Sequence, residues 1–287
     1  MRIMILGGTG MLGHQLWKYL PSCFPETFVT IRNGRADYGN NNLYQSDRVI
    51  DNIDVSDLNG VTGVLKAIQP NVILNCIGLT KRREELHNPI PSISLNAIFP
   101  HHLAKLAGYI GARVIHFSTD CVFDGAAGHY KDNSMPNAID VYGRTKALGE
   151  IAVGHVLTLR SSFIGRELRY GTELLEWFLA QKGEVKGFKN AIYTGLTTLE
   201  LSRVIVFMLR KYPDASGLYN VSSDPISKYD LLKLIAEKMR PDMKVLPEEK
   251  FSCDRSLDST RFRKEFDYTP PNWETMVEEL SQKYKGE

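Results

Sequence analysis

Tyr142-Gly-Arg-Thr-Lys146 places a phenol and an ammonium four residues apart. On a helix those two positions share one face. A free tyrosine has a pKa of about 10, too high for ready proton exchange at neutral pH. A fixed cation beside it favours the phenolate and lowers that value. Such a tyrosine can give its proton to a ketone that accepts hydride, or take one in the reverse direction. The spacing also arises by chance, and then it is a surface tyrosine lying on a lysine stem. A second group narrows the choice. His116-Phe117-Ser118-Thr119-Asp120 ends an apolar run and sets hydroxyls where a strand would stop. Thr119 could hydrogen-bond a substrate carbonyl, or merely satisfy local backbone.

The third group is a glycine loop, Gly7-Gly8-Thr9-Gly10-Met11-Leu12-Gly13. Gly7, Gly10 and Gly13 recur every third residue. The first permits a tight turn, the second lets backbone approach a pyrophosphate, and the third lets helix and strand pack closely. The amides of Met11 and Leu12 would open the helix and face the phosphates. The loop follows the strand-like Arg2 to Leu6 and precedes a helical pattern from Met11 to Leu20, which is the context a dinucleotide requires. The second strand, Phe28 to Arg32, ends on an arginine with Arg35 close behind, where an NAD site usually has an acid. An arginine there suits the 2′-phosphate, so NADP(H) is favoured over NAD(H). Asp54, after a short third strand at Asn52 to Val55, could accept a hydrogen bond from an adenine amino group. It could equally cap the helix that follows.

These groups need a scaffold that brings strand ends together. The first two-thirds of the chain alternate apolar runs with helical patterns. Asn71 to Ile77, Arg113 to Ser118 and His155 to Arg160 read as further strands. Val61 to Ile68, Ile93 to Ala107 and Val141 to Val153 read as helices. Such alternation gives a parallel sheet with right-handed crossovers. The expected fold is α/β, a Rossmann-type doubly wound parallel sheet with a smaller C-terminal substrate lobe, and ligands bind beyond the strands' carboxyl ends. Residues 1–165 are assigned to the NADP(H)-binding domain, with 191–222 returning to it. Residues 166–287 form a smaller, partly interleaved substrate-binding lobe. In that lobe Ala191 to Tyr193 and Leu218 to Val221 are strand-like. Thr198 to Tyr212, Tyr229 to Met239 and Trp273 to Tyr284 are helical.

Composition excludes several classes. The 287 residues carry a net charge of +2, which draws the chain to neither nucleic acid nor a membrane surface. No run of about 18 apolar residues occurs, so no membrane span is expected. Cys23, Cys76, Cys121 and Cys253 are scattered, as reduced cysteines of a cytoplasmic protein would be. The seven histidines have no metal-binding spacing, so no metal is expected. Lys81-Arg82-Arg83, after the fourth strand, could meet a diphosphate or be a solvated charge run.

Together these residues resemble an extended short-chain dehydrogenase/reductase. Ser118-Thr119-Asp120-Cys121-Val122-Phe123-Asp124-Gly125 and Tyr142-Gly-Arg-Thr-Lys-Ala-Leu-Gly-Glu150 are similar to the corresponding segments of dTDP-4-dehydrorhamnose reductases. The resemblance reaches Leu257-Asp258-Ser259 and the helix at Trp273. It implies NADPH-dependent reduction of the 4-keto group of a nucleotide-linked deoxy-sugar, for surface polysaccharide precursors. It makes Thr119, Tyr142 and Lys146 the catalytic trio, with Lys146 also on the nicotinamide ribose. Cofactor contacts are expected from Gly7, Gly10, Met11, Leu12, Gly13, Arg32, Asp54, Val55, Cys76, Gly78, Tyr142 and Lys146. Substrate contacts are expected from Thr80, Lys81, Arg82, Thr119, Asp120 and Arg166. Arg160 and Phe163 are further candidates. Asn75 and Asn96 read as structural hydrogen-bond formers.

Two features depart from that pattern. Cys121 stands where the family usually has tyrosine. Asn75-Cys76-Ile77-Gly78-Leu79-Thr80-Lys81 looks closer to reductases of UDP-linked 2-acetamido-2,6-dideoxy-hexuloses. Such a 4-reductase is therefore an alternative. An epimerase or dehydratase would favour an acid in place of Arg32, and a dehydratase a glutamate in place of Cys121. A non-catalytic regulatory subunit with the same fold is the alternative from another class, since some relatives of the family regulate methionine adenosyltransferase. The expected partner is a nucleotide-sugar, with a homodimer as the assembly to test.

Overall fold

The computed structural model describes residues 1–38, 42–80, 88–152 and 154–285. The chain forms two compact units. The first takes Met1–Ser118, Asp140–Leu159 and Ser202–Leu218, and the second takes Thr119–Ile139, Arg160–Leu201 and Tyr219–Glu287.

The first unit is built on β1 (Ile3–Leu6), β2 (Thr27–Thr30), β3 (Val49–Ile50), β4 (Val72–Asn75), β5 (Arg113–Ser118) and β6 (Val156–Arg160). With the strand Gly217–Asn220 they form a seven-stranded sheet in the order 217–220, β6, β5, β4, β1, β2, β3. The pairs β1–β2, β2–β3, β1–β4 and β4–β5 are parallel. Strand order reverses between β1 and β4, the switch point at which doubly wound sheets bind ligands. Every residue of β1 and β4 is buried, because helices cover both faces and leave no solvated side to alternate toward.

The helices of this unit are α1 (Met11–Tyr19), α2 (Leu58–Ile68), α3 (Pro89–Ser92), α4 (Phe99–Tyr109) and α5 (Val141–Leu148). A π-helical turn, Ile93–Ile98, joins α3 to α4 without a break. Asp57 caps α2, accepting the Asn59 amide at 3.0 Å. Met4, Leu6 and Ile73 pack with Val61, Leu65, Phe99 and Leu103 in one buried cluster. Each such side chain contributes roughly 1.5–3 kcal/mol.

The third strand lies at Val49–Ile50 rather than at Asn52–Val55. Asn52 has φ of 58°, which ends extended backbone there. Similarly, α5 stops at Leu148, because Gly149 packs against the π turn: a Cβ on it would lie 2.0 Å from the Asn96 carbonyl oxygen.

The second unit holds a three-stranded sheet in the order Ile226–Ser227, Glu184–Tyr193, Lys244–Asp254. Its two long strands run parallel, with an irregularity between Glu248 and Ser252. A two-stranded ladder pairs Phe163–Ile164 with Leu196–Thr197. Helices Leu174–Leu179, Lys228–Met239, Thr260–Phe266 and Trp273–Lys285 belong to this unit. Trp273 Nε1 donates to the Asp224 carbonyl at 2.8 Å and anchors the terminal helix.

Candidate functional site

The glycine loop joins β1 to α1, and its three glycines differ in what constrains them. Gly7 has φ of 87°, a conformation open to glycine and costly for other residues. A Cβ on Gly13 would sit 2.1 Å from the Gly7 carbonyl oxygen, so the close approach of α1 to β1 excludes one. A Cβ on Gly10 would meet only the Gly7 oxygen at 3.6 Å and the Cys76 oxygen at 4.0 Å, ordinary contacts. The protein's own packing therefore does not demand glycine at position 10. Among the described residues no side chain caps α1, and an uncapped helix start is what an anion-binding turn requires. Gly8 is confined as well: a Cβ there would lie 2.1 Å from Val29 Cγ2.

Beyond β2 the two arginines part company. Arg35 is anchored, its backbone amide on Asp51 at 3.0 Å and its Nη2 on the Val49 carbonyl at 2.5 Å. Arg32 is exposed. Asp54, also exposed, accepts the Ser56 amide at 2.9 Å, and Asp57 rather than Asp54 caps α2. Val55 beside it is buried. Buried Tyr44 donates to the Gly8 carbonyl at 2.8 Å, and Trp17 Nε1 donates to the Leu43 carbonyl at 2.6 Å. The turn after the second strand is thereby fastened onto the glycine loop.

Tyr142 and Lys146 lie on α5, capped by Asp140, whose carboxylate accepts the Gly143 amide at 2.8 Å. Tyr142 is half-buried and Lys146 is buried, 5% exposed. Lys146 Nζ donates to the Phe117 carbonyl of β5 at 2.6 Å. Burial pulls the ammonium down to about 8, against the attraction of Glu150 and then Cys76. Burial pushes the Cys76 thiol up, with Lys146 opposing, so Cys76 stays a neutral thiol beside the glycine loop. Gly78 is exposed, and a Cβ there would lie 3.9 Å from Lys146 Nζ and 3.3 Å from Asn96 Oδ1.

Asn96, fully buried in the π turn, holds this corner together. Its Oδ1 accepts the Leu79 amide at 2.9 Å, and its Nδ2 donates to the Leu79 carbonyl at 3.1 Å and to Thr145 Oγ1 at 3.3 Å. One side chain thus ties the loop after β4 to α5. Thr80, the last described residue of that segment, is exposed. Lys81, Arg82 and Arg83 lie outside the described residues.

Below this corner, buried Asn75 and His116 pair across β4 and β5. Asn75 Oδ1 accepts the Ile77 amide at 3.2 Å, which turns its NH2 toward His116 Nδ1 at 3.1 Å. Burial first, then the charges of Lys146 and His101, hold His116 well below the usual histidine range. The imidazole is therefore neutral, with its hydrogen on Nε2.

In the second unit Thr119 caps a short 3-10 turn, Asp120–Val122. Its oxygen accepts the Cys121 amide at 3.1 Å, and its hydroxyl donates to Asp120 Oδ1 at 3.2 Å. Arg255 Nε donates to the Phe123 carbonyl at 2.8 Å, and its Nη1 lies 3.8 Å from Cys121 Sγ. Arg160 Nη1 donates to the Asp132 carbonyl at 3.0 Å, with the guanidinium 5.2 Å from the Phe123 ring. Arg166 Nε is paired with Glu176 at 2.5 Å. The structure gathers Gly7 to Gly13, Cys76, Gly78, Tyr142 and Lys146 in the first unit, and Thr119, Asp120 and Arg166 in the second.

The sequence model of the RmlD substrate binding domain family matches residues 1–285. The chain belongs to that family. The dTDP-4-dehydrorhamnose reductase of Escherichia coli is 26% identical over 307 residues, 98% of this chain and 97% of that protein. The methionine adenosyltransferase 2 subunit beta of Bos taurus is 31% identical over 155 residues, 53% of this chain. That match spans 42% of the subunit's length, so less than half of this relative is represented. The crystal structure of dTDP-4-dehydrorhamnose reductase from Bacillus anthracis in complex with NADP superposes with a TM-score of 0.79. It covers 98% of this chain and 99% of that one at 21% identity, and so has the same fold.

Within this family fold, several residues of the two units carried no sequence signal. Asn75 and Asn96 looked structural, His116 was noted only as part of the segment ending β5, and the π turn that aims Asn96 has no pattern of its own. Ser162 follows the strand read as His155 to Arg160, and Tyr193 closes the strand-like Ala191 to Tyr193, but neither stood out as a site residue. The sequence cue to Ser162 is a hydroxyl two residues after an arginine-ended strand, as in Arg160-Ser161-Ser162.

Proposed function

We propose that the protein is an NADPH-dependent reductase of the 4-keto group of a nucleotide-linked deoxy-sugar. The observation that carries this reading is the first unit itself. A glycine loop with an unconstrained Gly10 and an uncapped α1 shares that unit with Tyr142 and a buried, charged Lys146. These residues fit a dinucleotide. The α1 amides and Gly10 would take its phosphates, and exposed Arg32 would take a 2′-phosphate. Bound NADPH supplies hydride.

The chain's own groups would do the rest. Lys146, held by the Phe117 carbonyl, keeps a positive charge below pH 8 and so favours proton loss from Tyr142. Tyr142 gives its proton to the carbonyl oxygen as that oxygen gains charge. Thr119 hydrogen-bonds the same oxygen. Thr80, Asp120 and Arg166 would contact the nucleotide-sugar, Arg166 after leaving Glu176. The Escherichia coli dTDP-4-dehydrorhamnose reductase supports a dTDP-sugar; surface polysaccharide precursors and a cytoplasmic setting belong to the same proposal. The segment Asn75 to Lys81 keeps a UDP-2-acetamido sugar as the competing substrate.

A second reading rests on the Bos taurus relative: a subunit that binds a partner enzyme and turns over nothing. Offering the purified protein NADPH with each class of 4-keto sugar nucleotide separates the two. Consumption of NADPH that disappears in Tyr142→Phe, with cofactor affinity retained, is the expected result. A Tyr142→Phe variant that turns over normally refutes the role of the phenol. NADPH binding without oxidation of any keto-sugar favours the subunit.

A further inference from the structure

Thr119 is not alone on Asp120. Ser162 Oγ donates to the same carboxylate oxygen, Oδ1, at 3.0 Å. The Tyr193 hydroxyl hydrogen-bonds Ser162 in turn. Asp120 and Tyr193 are each only 5% exposed. Burial, and then the charge of Asp120, hold the Tyr193 phenol well above its ordinary pKa, so it keeps its proton. The place of the phenol is fixed as well. Its ring lies 3.5 Å beneath Lys228 Nζ and 5.5 Å from Trp273, and a Cβ on Gly195 would come within 2.1 Å of its oxygen. All these residues belong to the second unit. Asp120 Oδ1 therefore accepts two hydrogens, one from Ser162 and one from Thr119, with Tyr193 beside Ser162.

This order has a chemical consequence. A hydroxyl has one hydrogen and two lone pairs. Thr119 has its hydrogen on Asp120 and one lone pair on the Cys121 amide, so it offers a ligand only an acceptor. An acceptor suits a ligand hydroxyl. A ligand carbonyl needs the Thr119 hydrogen turned away from Asp120. That turn would strip a donor from a buried carboxylate, which is costly unless another donor remains. Ser162 is that donor. We propose that Ser162 is a positioning residue which keeps Asp120 Oδ1 satisfied while Thr119 re-aims its hydrogen at the substrate carbonyl, and that Tyr193 holds Ser162 in place. The proposal rests on the reductase reading above.

Two measurements test it. The first needs no substrate: NMR of protein carrying [13Cζ]tyrosine, with the Tyr193 signal identified by its loss in Tyr193→Phe. Asp120→Asn removes the charge that helps hold the phenol up, so Tyr193 should titrate at lower pH than in the unsubstituted protein. Unchanged titration overturns the placement of Tyr193 beside the Ser162–Asp120 pair. The second is steady-state kinetics with whichever keto-sugar nucleotide the protein consumes. Ser162→Ala should lower kcat by about tenfold, the worth of one hydrogen bond to a charged group, with KM for NADPH unchanged. Ser162→Thr should restore it. An undiminished kcat in Ser162→Ala, or no rescue by threonine, overturns the positioning role. If no keto-sugar is consumed by the unsubstituted protein, the reductase reading falls and the role of Ser162 in it falls too. The tyrosine titration then still decides whether Tyr193 stands beside the Ser162–Asp120 pair.

Discussion

Replacing Lys146 by methionine should make the protein more stable at neutral pH while abolishing the proposed reaction. The side chain is 5% exposed, so solvent screens little of what happens to its charge. Burial lowers its pKa from 10.5 to about 8. At about 1.4 kcal/mol per pH unit, that shift is a penalty of about 3 kcal/mol for folding with the proton on. Methionine has similar length and no charge, so Lys146→Met removes the penalty. It also removes the bond to the Phe117 carbonyl, worth about 1–2 kcal/mol. The net expectation at pH 7 is a gain of about 1–2 kcal/mol.

The pH dependence has a definite sign. Below pH 8 both folded and unfolded chains hold the proton, and the whole penalty applies. Between pH 8 and 10.5 the folded chain has released the proton and the unfolded chain has not. The unfolded state then binds more protons, so the stability of the lysine form rises with pH across that window. Near pH 10 most of the penalty is gone and the lost hydrogen bond remains, so Lys146→Met should be slightly the less stable of the two. Urea unfolding followed by circular dichroism at pH 7 and pH 10 gives both differences. Other groups titrating in this range cancel in the comparison. A variant less stable than the parent at pH 7, or a difference that does not change sign or shrink by pH 10, would refute a buried ammonium at this position.

Gly13→Ala forces a Cβ to 2.1 Å from a backbone oxygen and should cost about 1–3 kcal/mol or more in thermal unfolding. Gly10→Ala should cost no more than about 1 kcal/mol as a helix cap, yet weaken NADPH binding by at least about tenfold in a fluorescence titration. Arg32→Ala should lower affinity for NADPH by about ten- to hundredfold and leave NADH unaffected, while Arg35, tied to Asp51, offers no substitute. Asn96→Ala strands both polar groups of Leu79 and should destabilise the fold by about 2–4 kcal/mol in urea.

Much of the first unit was legible because its signals are local. A buried parallel strand is a short apolar run, and β1 and β4 read that way with boundaries close to those observed. The glycine loop announces itself because backbone geometry at Gly7 and Gly13 admits little else. The second unit was harder to read. The strand Lys244–Asp254 contains Pro247 and the charged run Glu248-Glu249-Lys250, and most of it is exposed, so no alternation marks it. Only three residues of Glu184–Tyr193 looked strand-like, because its middle is solvated. The helix Leu174–Leu179 has six residues, too few for a periodic pattern. Asn96 was visible only as a polar residue in a helical stretch. Its two bonds to Leu79 depend on a π turn that exists through tertiary packing.

The limit of sequence reading is sharpest at the end of β5, where two hydroxyls are neighbours. Ser118 and Thr119 look interchangeable as partners for a carbonyl. In a strand, successive side chains leave opposite faces. Ser118 donates to Glu150 at 2.6 Å, and Glu150 is the carboxylate that holds the charge of Lys146 up. Its hydrogen is committed within the first unit, to a group that supports the lysine. Thr119 turns to Asp120, whose oxygen already has a second donor in Ser162. One hydroxyl therefore serves the cation, and the other can leave its acceptor without stranding a charge. Composition and spacing assign the same chemistry to both. The partners, three-dimensional and far apart in sequence, make Thr119 the hydroxyl able to turn toward a ligand and Ser118 the one that stays.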